Sequence, residues 1–520
     1  MPTNSNIRNI KAFSRTQILI ITVSDGFFIY NLNDKKSIHY STQTAGLISN
    51  SIKSLYVAPN KNIWLTYNNQ LSNVSYLRPQ ANKISHYTLK DKKGIKINRC
   101  KSINIFEDVN NYLLFQSSGN VLNYYDKKKN DLAPFILSEN PEIISFNEPT
   151  GIYLDRQKNM WLRKINRGLI KVSFKKNLFK LTSPNSNDIY SSENELRAVM
   201  EDKNKNLWVS SQEGTIQLYN HKKEFLGFLS PSGQISSKKV YAGTAYSIIQ
   251  DKQGTIWIGT KDKGIIKVNP NKAHSYNIQY FSFNPKDPYS LSSNQVYNLH
   301  EDPNGRIWVG TFGKGINYID KDVKGNIIFI NSNNELKQYP FTGEKIRCIQ
   351  SDKQGNLWIG TTSGIVQCTY MFSRPDQIQF QSFTRIAGDT TSLSNNDVYN
   401  IHLTQDKELY FATFGGGLCK LQSFYNQKAI FKNYSKQDGL PSDVLQSIQE
   451  DNRGFLWIAT EEGICRFSTQ DETFDSYDSR FFPSDIQFME GNAIYTSNKE
   501  LIFNTDRGFL SFNPEKIKKD

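Results

Sequence analysis

The chain has 520 residues, of which 38% are hydrophobic and 13% aromatic, so it can bury a large core. Tyr, Phe, Asn, Ser and Gly are abundant while Met is sparse, a bias that favours strands and turns over helices. Lys and Arg exceed Asp and Glu by 14, but they are scattered along the chain, so charge alone does not indicate nucleic-acid binding.

The sequence gives little indication of a membrane span, an export signal, a zinc site or a disulfide framework. No segment reaches the roughly 18 consecutive apolar residues that span a bilayer, and Ile18 to Val23 is only long enough for a strand. The first residues lack the hydrophobic region and the cleavage site of an export signal, so we expect either a cytosolic chain or a fragment of a longer protein. The five cysteines form no C-x-x-C pair, which favours neither a zinc site nor a complete disulfide framework. No cofactor is indicated.

A repeated phrase organises the chain from end to end. Its clearest copies are DKQGTIWIGTKDKGIIKVN, DPNGRIWVGTFGKGINYID, DKQGNLWIGTTSGIVQC and DNRGFLWIATEEGICRF. All seven tryptophans occupy one slot, six or seven residues ahead of a glycine, or of Leu71 in one copy. Four degenerate copies hold another residue in this slot. We call the residue in the slot the anchor of its unit, and the anchors are Leu19, Trp64, Leu113, Trp161, Trp208, Trp257, Trp308, Trp358, Tyr410, Trp457 and Leu501. The sequence therefore contains eleven units, spaced 44 to 52 residues apart.

Each unit reads as four short antiparallel strands. In the Trp308 unit, apolar and polar residues alternate in VYNLHED, and PNGR closes a tight hairpin. IWVGT is a strand with an apolar face, and INYID follows a glycine-rich turn. A four-stranded repeat of about 40 to 50 residues is typical of a β-propeller blade. The sequence therefore predicts an all-β fold of propeller blades, in which each Trp fills the space between blades and the glycine after it permits the next turn.

Closure into rings sets the expected domains. The seven anchors from Trp208 onward form one seven-bladed propeller in residues 181–520, and the four earlier anchors leave an incomplete propeller of about four blades in residues 1–180. Because the chain opens inside the first strand of a blade, we expect the N-terminal body to be the end of a larger propeller. The segment from Phe174 to Glu195 is the expected connection. A single body of all eleven blades is the alternative.

Most motifs that could carry chemistry have a structural explanation. The D-x-x-G turns, such as Asp302 to Gly305, supply one carboxylate where a calcium loop needs several, so we expect hairpin turns. His300 and His402 share one slot, but no third ligand is in register, so no metal site is predicted. No Ser or Cys stands in a G-x-S-x-G turn or a similar elbow, so no catalytic residue is predicted. The strand cysteines fit small buried hydrophobes.

One slot suggests a ligand site. Eleven residues ahead of each anchor of the seven-bladed ring, where the innermost strand opens at the channel mouth, stand Arg197, Tyr246, Tyr297, Arg347, Tyr399, Gln446 and Glu490. Tyrosine rings stack on the apolar faces of sugars and arginine holds carboxylate or sulfate bidentately, so this set has the chemistry of a glycan site. The alternative is that these side chains plug the channel and hydrogen-bond each other.

Loops after the second strand should reach the same face, because successive strands run antiparallel. They contribute Lys261, Lys263, Phe312, Lys314 and Phe414. Phe414 lies in a glycine-rich turn, which is typical of a binding loop, although a ring tucked between blades would have the same sequence. Arg347, flanked by Tyr297 and Tyr399, is the expected contact for an acidic saccharide, and its removal should leave folding nearly intact.

The repeat D-x-x-G-x-[IL]-W-[IV]-G-T-x-x-x-G-[IL] resembles the two-component regulator propeller repeat over nearly the whole chain. The phrases DPYSLSSNQVYNLHED and DTTSLSNNDVYNIHLT resemble that family's inter-blade segment, and QDGLPSDV followed by ELIFNTDRGFLSFNPEKI resembles its last two blades. The resemblance implies a periplasmic sensor region of hybrid two-component regulators from polysaccharide-degrading bacteria, followed in the family by an immunoglobulin-like module, a membrane helix, a histidine kinase, a receiver and a DNA-binding domain. This chain stops after the last blade, so those output modules are expected only in a longer parent or a partner.

We therefore interpret the chain as a non-enzymatic sensor that binds an oligosaccharide, possibly acidic, and passes the signal to an attached or partner histidine kinase module. The resemblance implies a periplasmic location and a homodimer of the full-length parent, and this chain itself is not expected to bind nucleic acid. Two alternatives stay open. One is a propeller enzyme such as a lyase, with His300 or Glu490 as general base, and the other is a scaffold for protein interactions.

Overall fold

A computed structural model describes residues 5–517 apart from 59, 69–71, 92, 101–102, 108–112, 118–121, 127, 135–148, 155–159, 165–167, 173–177, 273–274, 370–371, 373, 480 and 483–484. In these residues the regular elements are strands and short 3-10 turns, so the predicted all-β fold is confirmed. The turns are Pro79–Ala81, Ser192–Asn194, Phe341–Gly343, Pro375–Gln377, Lys436–Asp438 and Pro514–Lys516. No helix among them is long and apolar enough to cross a bilayer.

The chain divides into two compact units, Met1–Lys176 and Asn177–Asp520. The first unit contains four antiparallel sheets, each made of strands consecutive in sequence. Their strands are β1 (Ile7–Ala12), β2 (Gln17–Thr22), β3 (Phe27–Asn31) and β4 (Ser37–Tyr40); β5 (Ile52–Val57), β6 (Ile63–Tyr67), β7 (Asn73–Arg78) and β8 (Lys83–Thr88); β9 (Ile103–Glu107), β10 (Leu113–Ser117), β11 (Leu122–Asp126) and β12 (Asp131–Pro134); and β13 (Pro149–Leu154), β14 (Met160–Lys164) and β15 (Gly168–Val172).

The second unit contains seven sheets, which we number as blades 1 to 7. Blades 1 to 3 are β17 (Leu196–Glu201), β18 (Leu207–Ser211), β19 (Ile216–Tyr219), β20 (Phe225–Leu229) and β21 (Ile235–Ser236); β22 (Ala245–Gln250), β23 (Ile256–Thr260), β24 (Ile265–Lys272) and β25 (Ser275–Phe281); and β26 (Val296–Glu301), β27 (Ile307–Thr311), β28 (Ile316–Lys321) and β29 (Ile327–Asn331).

Blades 4 to 7 complete the unit. They are β30 (Ile346–Ser351), β31 (Leu357–Thr361), β32 (Gly364–Cys368) and β33 (Phe380–Phe383); β34 (Val398–Leu403), β35 (Leu409–Thr413), β36 (Leu418–Tyr425) and β37 (Lys428–Tyr434); β38 (Leu445–Glu450), β39 (Phe455–Thr460), β40 (Gly463–Ser468) and β41 (Thr473–Tyr477); and β42 (Ile494–Tyr495), β43 (Leu501–Thr505) and β44 (Gly508–Phe512), with β16 (Lys180–Thr182) as the fourth strand of blade 7.

The second unit is a closed ring. The innermost strand of each blade contacts that of the next, from β17 through β22, β26, β30, β34 and β38 to β42, and β42 and β43 contact β17 again. The closing blade joins both ends of the unit, because β16 pairs antiparallel with β44. Lys180–Thr182, which we expected to lie in the connection between bodies, is thus part of the ring, and Phe179 beside it is 3% exposed.

Each junction between neighbouring blades of the ring has its own apolar cluster. Trp308, for example, is 1% exposed and packs with Ile346 and Ile359 of the next blade, which confirms the predicted role of the tryptophan slot. The glycine two residues later has a different role from the predicted one. Gly310 lies within β27, where an added Cβ would stand 2.6 Å from Ile346, so glycine lets the next blade approach.

The D-x-x-G turns are hairpin turns, as predicted, and their aspartates have a second partner. Asp302 Oδ1 accepts the backbone N–H groups of Asn304 and Arg306 at 2.9 and 3.0 Å, and its Oδ2 accepts Trp308 Nε1–H at 2.9 Å. The same Asp–Trp bond, 2.8 to 3.1 Å long, recurs for Asp202 and Trp208, Asp251 and Trp257, Asp352 and Trp358, and Asp451 and Trp457. The spacing of six residues therefore satisfies a buried indole N–H in five blades.

The anchor of blade 7 lies one residue later than predicted. Strand β43 ends at Thr505, three residues after Ile502, just as β27 ends at Thr311, three residues after Trp308. Ile502 is opposite Ile494 of the innermost strand, as Trp308 is opposite His300. Ile502 rather than Leu501 therefore holds the anchor position, and both are fully buried.

Candidate functional site at the channel mouth

The predicted mouth residues share one backbone feature in blades 1 to 6. Each is the second residue of its innermost strand, and in each the register with the neighbouring strand shifts between the first and third residues. The residues at these shifts are Arg197, Tyr246, Tyr297, Arg347, Tyr399 and Gln446. A bulge leaves one residue unpaired in the ladder and turns its side chain away from the sheet face. All six side chains are large and half-buried, and ring contacts bring five of them, all but that of Gln446, together at one end of the ring.

Glu490 comes from a different environment. It lies four residues ahead of β42 rather than on the innermost strand, because the anchor of blade 7 is displaced and the segment before β42 is irregular. It nevertheless reaches the same mouth, since both of its carboxylate oxygens accept hydrogen bonds from Arg347 Nη1, at 3.0 and 3.1 Å. Because blades 4 and 7 lie on opposite sides of the ring, this ion pair crosses the channel.

Seven planar side chains stack in a continuous arc around the mouth. In order they are Arg197, Tyr246, Tyr297, Phe312, Arg347, Tyr399 and Phe414. Each ring centroid or guanidinium carbon lies 4.4 to 5.7 Å from the next one. The Tyr297 and Phe312 rings are inclined by 19°, and the Tyr399 and Phe414 rings by 23°, so both pairs are stacked. The arc presents aromatic surface over blades 1 to 5.

Arg347 has two acidic partners. Besides Glu490, it donates from Nε and Nη2 to the two oxygens of Asp397, both at 3.1 Å, in a bidentate pair. Burial alone would lower the pKa of Arg347, but the Glu490 and Asp397 carboxylates outweigh burial and raise it above its ordinary value. Burial raises the pKa of Glu490, and Arg347 opposes that rise. Arg347 therefore stays charged, and its Nε, Nη1 and Nη2 groups all donate hydrogen bonds within the protein.

Arg197 is in a different electrostatic position. Its Nε donates to the neutral amide oxygen of Gln212 at 3.2 Å, and among the described residues no carboxylate lies within ion-pair distance of it. Gln446 likewise makes no side-chain hydrogen bond to any residue that the structure describes. These two side chains keep donors and acceptors for another molecule.

The predicted loop residues divide into two groups. Phe312 and Phe414 stack on Tyr297 and Tyr399 and belong to the arc, and Phe414 is 43% exposed. The three lysines Lys261, Lys263 and Lys314 lie in the corresponding loops, but they do not stack in the arc; Lys263 Nζ instead lies 4.5 Å from the Tyr241 ring centroid. Lys345 is an additional exposed cation, 5.7 Å from the Phe312 centroid.

Sequence reasoning missed Asp397 and Gln212, the partners of the two arginines. Asp397 lies two residues before the bulge of blade 5, and its backbone carbonyl accepts the N–H of Phe414. Gln212 stands in the loop position of blade 1 that Phe312 and Phe414 hold in blades 3 and 5, with its N–H bonded to the carbonyl of Glu195. Aligning the loops of all blades as strictly as the strands would have found Gln212.

The other residues weighed from the sequence have local roles. His300 Nε2 lies 2.7 Å from Ser351 Oγ, and burial lowers its pKa to about 4. His402 Nε2 lies 3.6 Å from Glu450 Oε2, too far for a hydrogen bond. Four of the five cysteines are buried, as expected of small apolar residues, and Cys100 is half-buried.

Comparison with protein families identifies the repeat. The model described as "two component regulator propeller" matches residues 242–262, 290–313, 340–363 and 439–462, which all lie in the ring. The resemblance predicted from the sequence is thus confirmed in these four segments of the ring.

Known proteins resemble larger parts of the chain. Histidine kinase P4 of Formosa agariphila is 21% identical over 222 residues, which is 43% of this chain and 16% of that protein. The extracellular domain of BT3049 from B. thetaiotaomicron, described as a hybrid two-component system, superposes with a TM-score of 0.66 at 20% identity, covering 98% of this chain and 62% of that domain. The extracellular domain of BT4673, described as a one-component system, gives a TM-score of 0.50 at 15% identity, covering 100% and 72%. These structures have the same propeller fold, and the chain spans only part of the relatives' length.

Proposed function

We propose that this chain is the ligand-sensing propeller region of a two-component signalling regulator and that it binds a glycan fragment at the channel mouth. The observation that carries the proposal is the arc of stacked tyrosine, phenylalanine and arginine side chains. Such planes contact the C–H faces of sugar rings, while Gln446 and Arg197 supply hydrogen-bonding groups beside them. The match of the ring to two-component regulator propeller repeats supports a role in signalling.

The ion pairs of Arg347 change which residue we expect to bind an acidic ligand. Two carboxylates already neutralise Arg347, so a ligand acid would have to displace one of them. Arg197 and the exposed Lys345 offer cations that are not committed in this way. An acidic saccharide would therefore pair with Arg197 rather than with Arg347, and a neutral saccharide would rely on stacking.

The signalling context is part of the same proposal. The names of the relatives, a histidine kinase and two extracellular domains of signalling systems, support a location outside the cytoplasm and a kinase module that reads this region. In the longer parent, ligand binding would shift the arrangement of propellers within a homodimer, and the kinase would respond to that shift.

A panel of neutral and acidic oligosaccharides tests this function. Thermal shift and product formation are followed together on the purified chain, because a sensor binds its ligand without turning it over. Stabilisation by one glycan class without product supports the proposal. Product formation would replace it with a lyase or hydrolase, and absence of any shift across the panel would favour a scaffold for protein partners.

A further inference from the structure

A second cavity occupies the other end of the ring's channel. Its volume is about 640 Å³, and it is lined by the later residues of the innermost strands of blades 1 to 6 and by Asn492 to Ile494 of blade 7. Asp202 and Lys203 at its edge belong to a D-x-x-x turn, so the cavity opens on the face of these hairpins. In blades 3 to 5 its lining begins at Asn298, Cys348 and Asn400, each one residue after a mouth residue, and it includes none of the seven mouth residues. The cavity therefore adjoins the mouth within the same channel but is lined by different residues.

One layer of the wall holds polar residues in four blades and apolar residues in the others. The residues opposite the anchors on the innermost strands are His300, Gln350, His402 and Gln449 in blades 3 to 6. In blades 1 and 2 the same position holds Met200 and Ile249, and Ala493 lines the cavity from blade 7. Met200 packs mainly into the apolar cluster between blades 1 and 2, and Ile249 partly into the cluster between blades 2 and 3, so the apolar part of the wall is small.

Several of the polar groups have hydrogen-bonding capacity left. Asn400, which is 7% exposed and lines the cavity, makes no side-chain hydrogen bond within the described part of the chain. Gln350 and Gln449 each make a single long bond, from Nε2 to the next backbone carbonyl at 3.3 and 3.2 Å, which leaves their Oε1 acceptors without a partner among the described residues. A buried amide without a partner is costly unless water or a ligand satisfies it.

The charged groups at the edge of this cavity are satisfied by the protein. Glu201 accepts the N–H and hydroxyl of Ser497, and Glu301 accepts the N–H of Lys252. Lys203 Nζ donates to backbone carbonyls of the neighbouring turn, at 2.8 and 3.2 Å. The deeper polar wall is built from amides and imidazoles, so the cavity offers no unpaired charge to an ionic ligand.

From these observations we propose that the cavity is a second binding site, which takes a neutral, hydroxyl-rich small molecule of monosaccharide or disaccharide size. Hydroxyl groups both donate and accept, which matches the mixed donors and acceptors of Gln350, Asn400 and Gln449. The C–H face of a sugar ring would lie against Ile249, which is only partly buried. This site is distinct from the proposed glycan site at the mouth and does not depend on it.

Calorimetric titration of the full chain with glucose, galactose, maltose, lactose and myo-inositol, and with glucuronate as a charged match to glucose, tests the proposal. We expect at least one neutral compound to bind, and glucuronate to bind at least about tenfold more weakly than glucose, because its carboxylate would lose solvation beside groups that offer it no unpaired positive charge. Gln350→Leu and Gln449→Leu should each weaken binding about tenfold by removing a hydrogen bond.

Gln253→Leu is the matched control, since Gln253 is exposed on a D-x-x-G turn at the same face but does not line the cavity. Its affinity should equal that of the wild type. The proposal is overturned if no neutral compound binds, if glucuronate binds as well as glucose, or if binding survives both leucine substitutions. Loss of binding in Tyr399→Ala at the mouth, with both cavity variants unaffected, would also overturn it and would assign the sugar to the mouth.

Discussion

At the scale of single residues, the tryptophan slot combines packing with a buried hydrogen bond. Trp308 fills the junction between blades 3 and 4, and its indole N–H is satisfied by the aspartate that also orders the preceding hairpin. The repeat was visible in the sequence because both residues recur at a fixed spacing of six. Their direct contact was not, because spacing alone does not show that the turn folds back over the indole.

The first prediction separates these two contributions. Trp308→Ala should cost about 3 to 5 kcal/mol in the free energy of unfolding, through the cavity left between blades. Trp308→Phe keeps most of the apolar contact but leaves Asp302 Oδ2 without its donor, and should cost about 1 to 3 kcal/mol. Chemical denaturation of both variants measures the difference, and a near-neutral Trp308→Ala would contradict the packing described here.

The second prediction concerns Arg347, for which the structure changes the expectation. Its side chain is 14% exposed, and those of Asp397 and Glu490 are 25% and 17% exposed. Removal of the arginine therefore leaves two half-buried carboxylates without their cationic partner. Arg347→Ala should therefore destabilise the ring by about 2 to 4 kcal/mol, rather than leave folding intact. Adding Glu490→Gln to Arg347→Ala should restore part of the loss in thermal denaturation, and no restoration would argue against the ion pair across the channel.

The third prediction follows from His300. Burial lowers its pKa to about 4, although the Asp302 carboxylate acts in the opposite direction, so the folded protein favours the neutral imidazole. The stability that neutral His300 contributes is present above its unfolded pKa of about 6.5 and is lost as pH falls from there toward 4. Denaturation between pH 7.5 and 4.5 should show a shallower acid loss for His300→Gln than for wild type, and parallel curves would contradict the assignment.

At the scale of elements, the bulges and the closing strand control what the ring presents. The alternating strands and turn residues of the blades were predictable from the sequence. The position of Glu490 was not, because blade 7 has no tryptophan to fix its register and the segment before β42 is irregular. The strand Lys180–Thr182 was missed for a related reason, since three residues carry no recognisable period.

The fourth prediction tests the closing strand. The ring of residues 177–520 should melt at least about 5 °C higher than residues 184–520, because the shorter chain lacks the ladder to β44 and the buried ring of Phe179. Phe179→Ala in the longer chain should produce part of that decrease, since the side chain packs against Phe482 and Phe512. Equal melting temperatures for the two chains would show that the ring does not need this strand.

At the scale of the whole molecule, repeats and composition were enough to predict an all-β chain of propeller blades. The chemistry of the mouth was less accessible, because it depends on which side chains meet across the channel. Arg347 contacts a residue 143 positions away in sequence, and only closure of the ring brings the two together. The regular spacing within blades says nothing about such contacts. The sequence could therefore suggest the mouth residues, but it could not show that Arg347 is paired with carboxylates while Arg197 is not.

Calorimetric titration of mouth variants shows whether the arc at the mouth binds a glycan. With the oligosaccharide that gives the largest thermal shift, Tyr399→Ala should weaken binding about tenfold or more by removing a stacking plane. If the ligand is acidic, Arg197→Ala should weaken it by a similar factor. Gln253→Leu, on the opposite face, should bind as the wild type does. Unchanged affinity in both Tyr399→Ala and Arg197→Ala would contradict the account and move the glycan site away from this mouth.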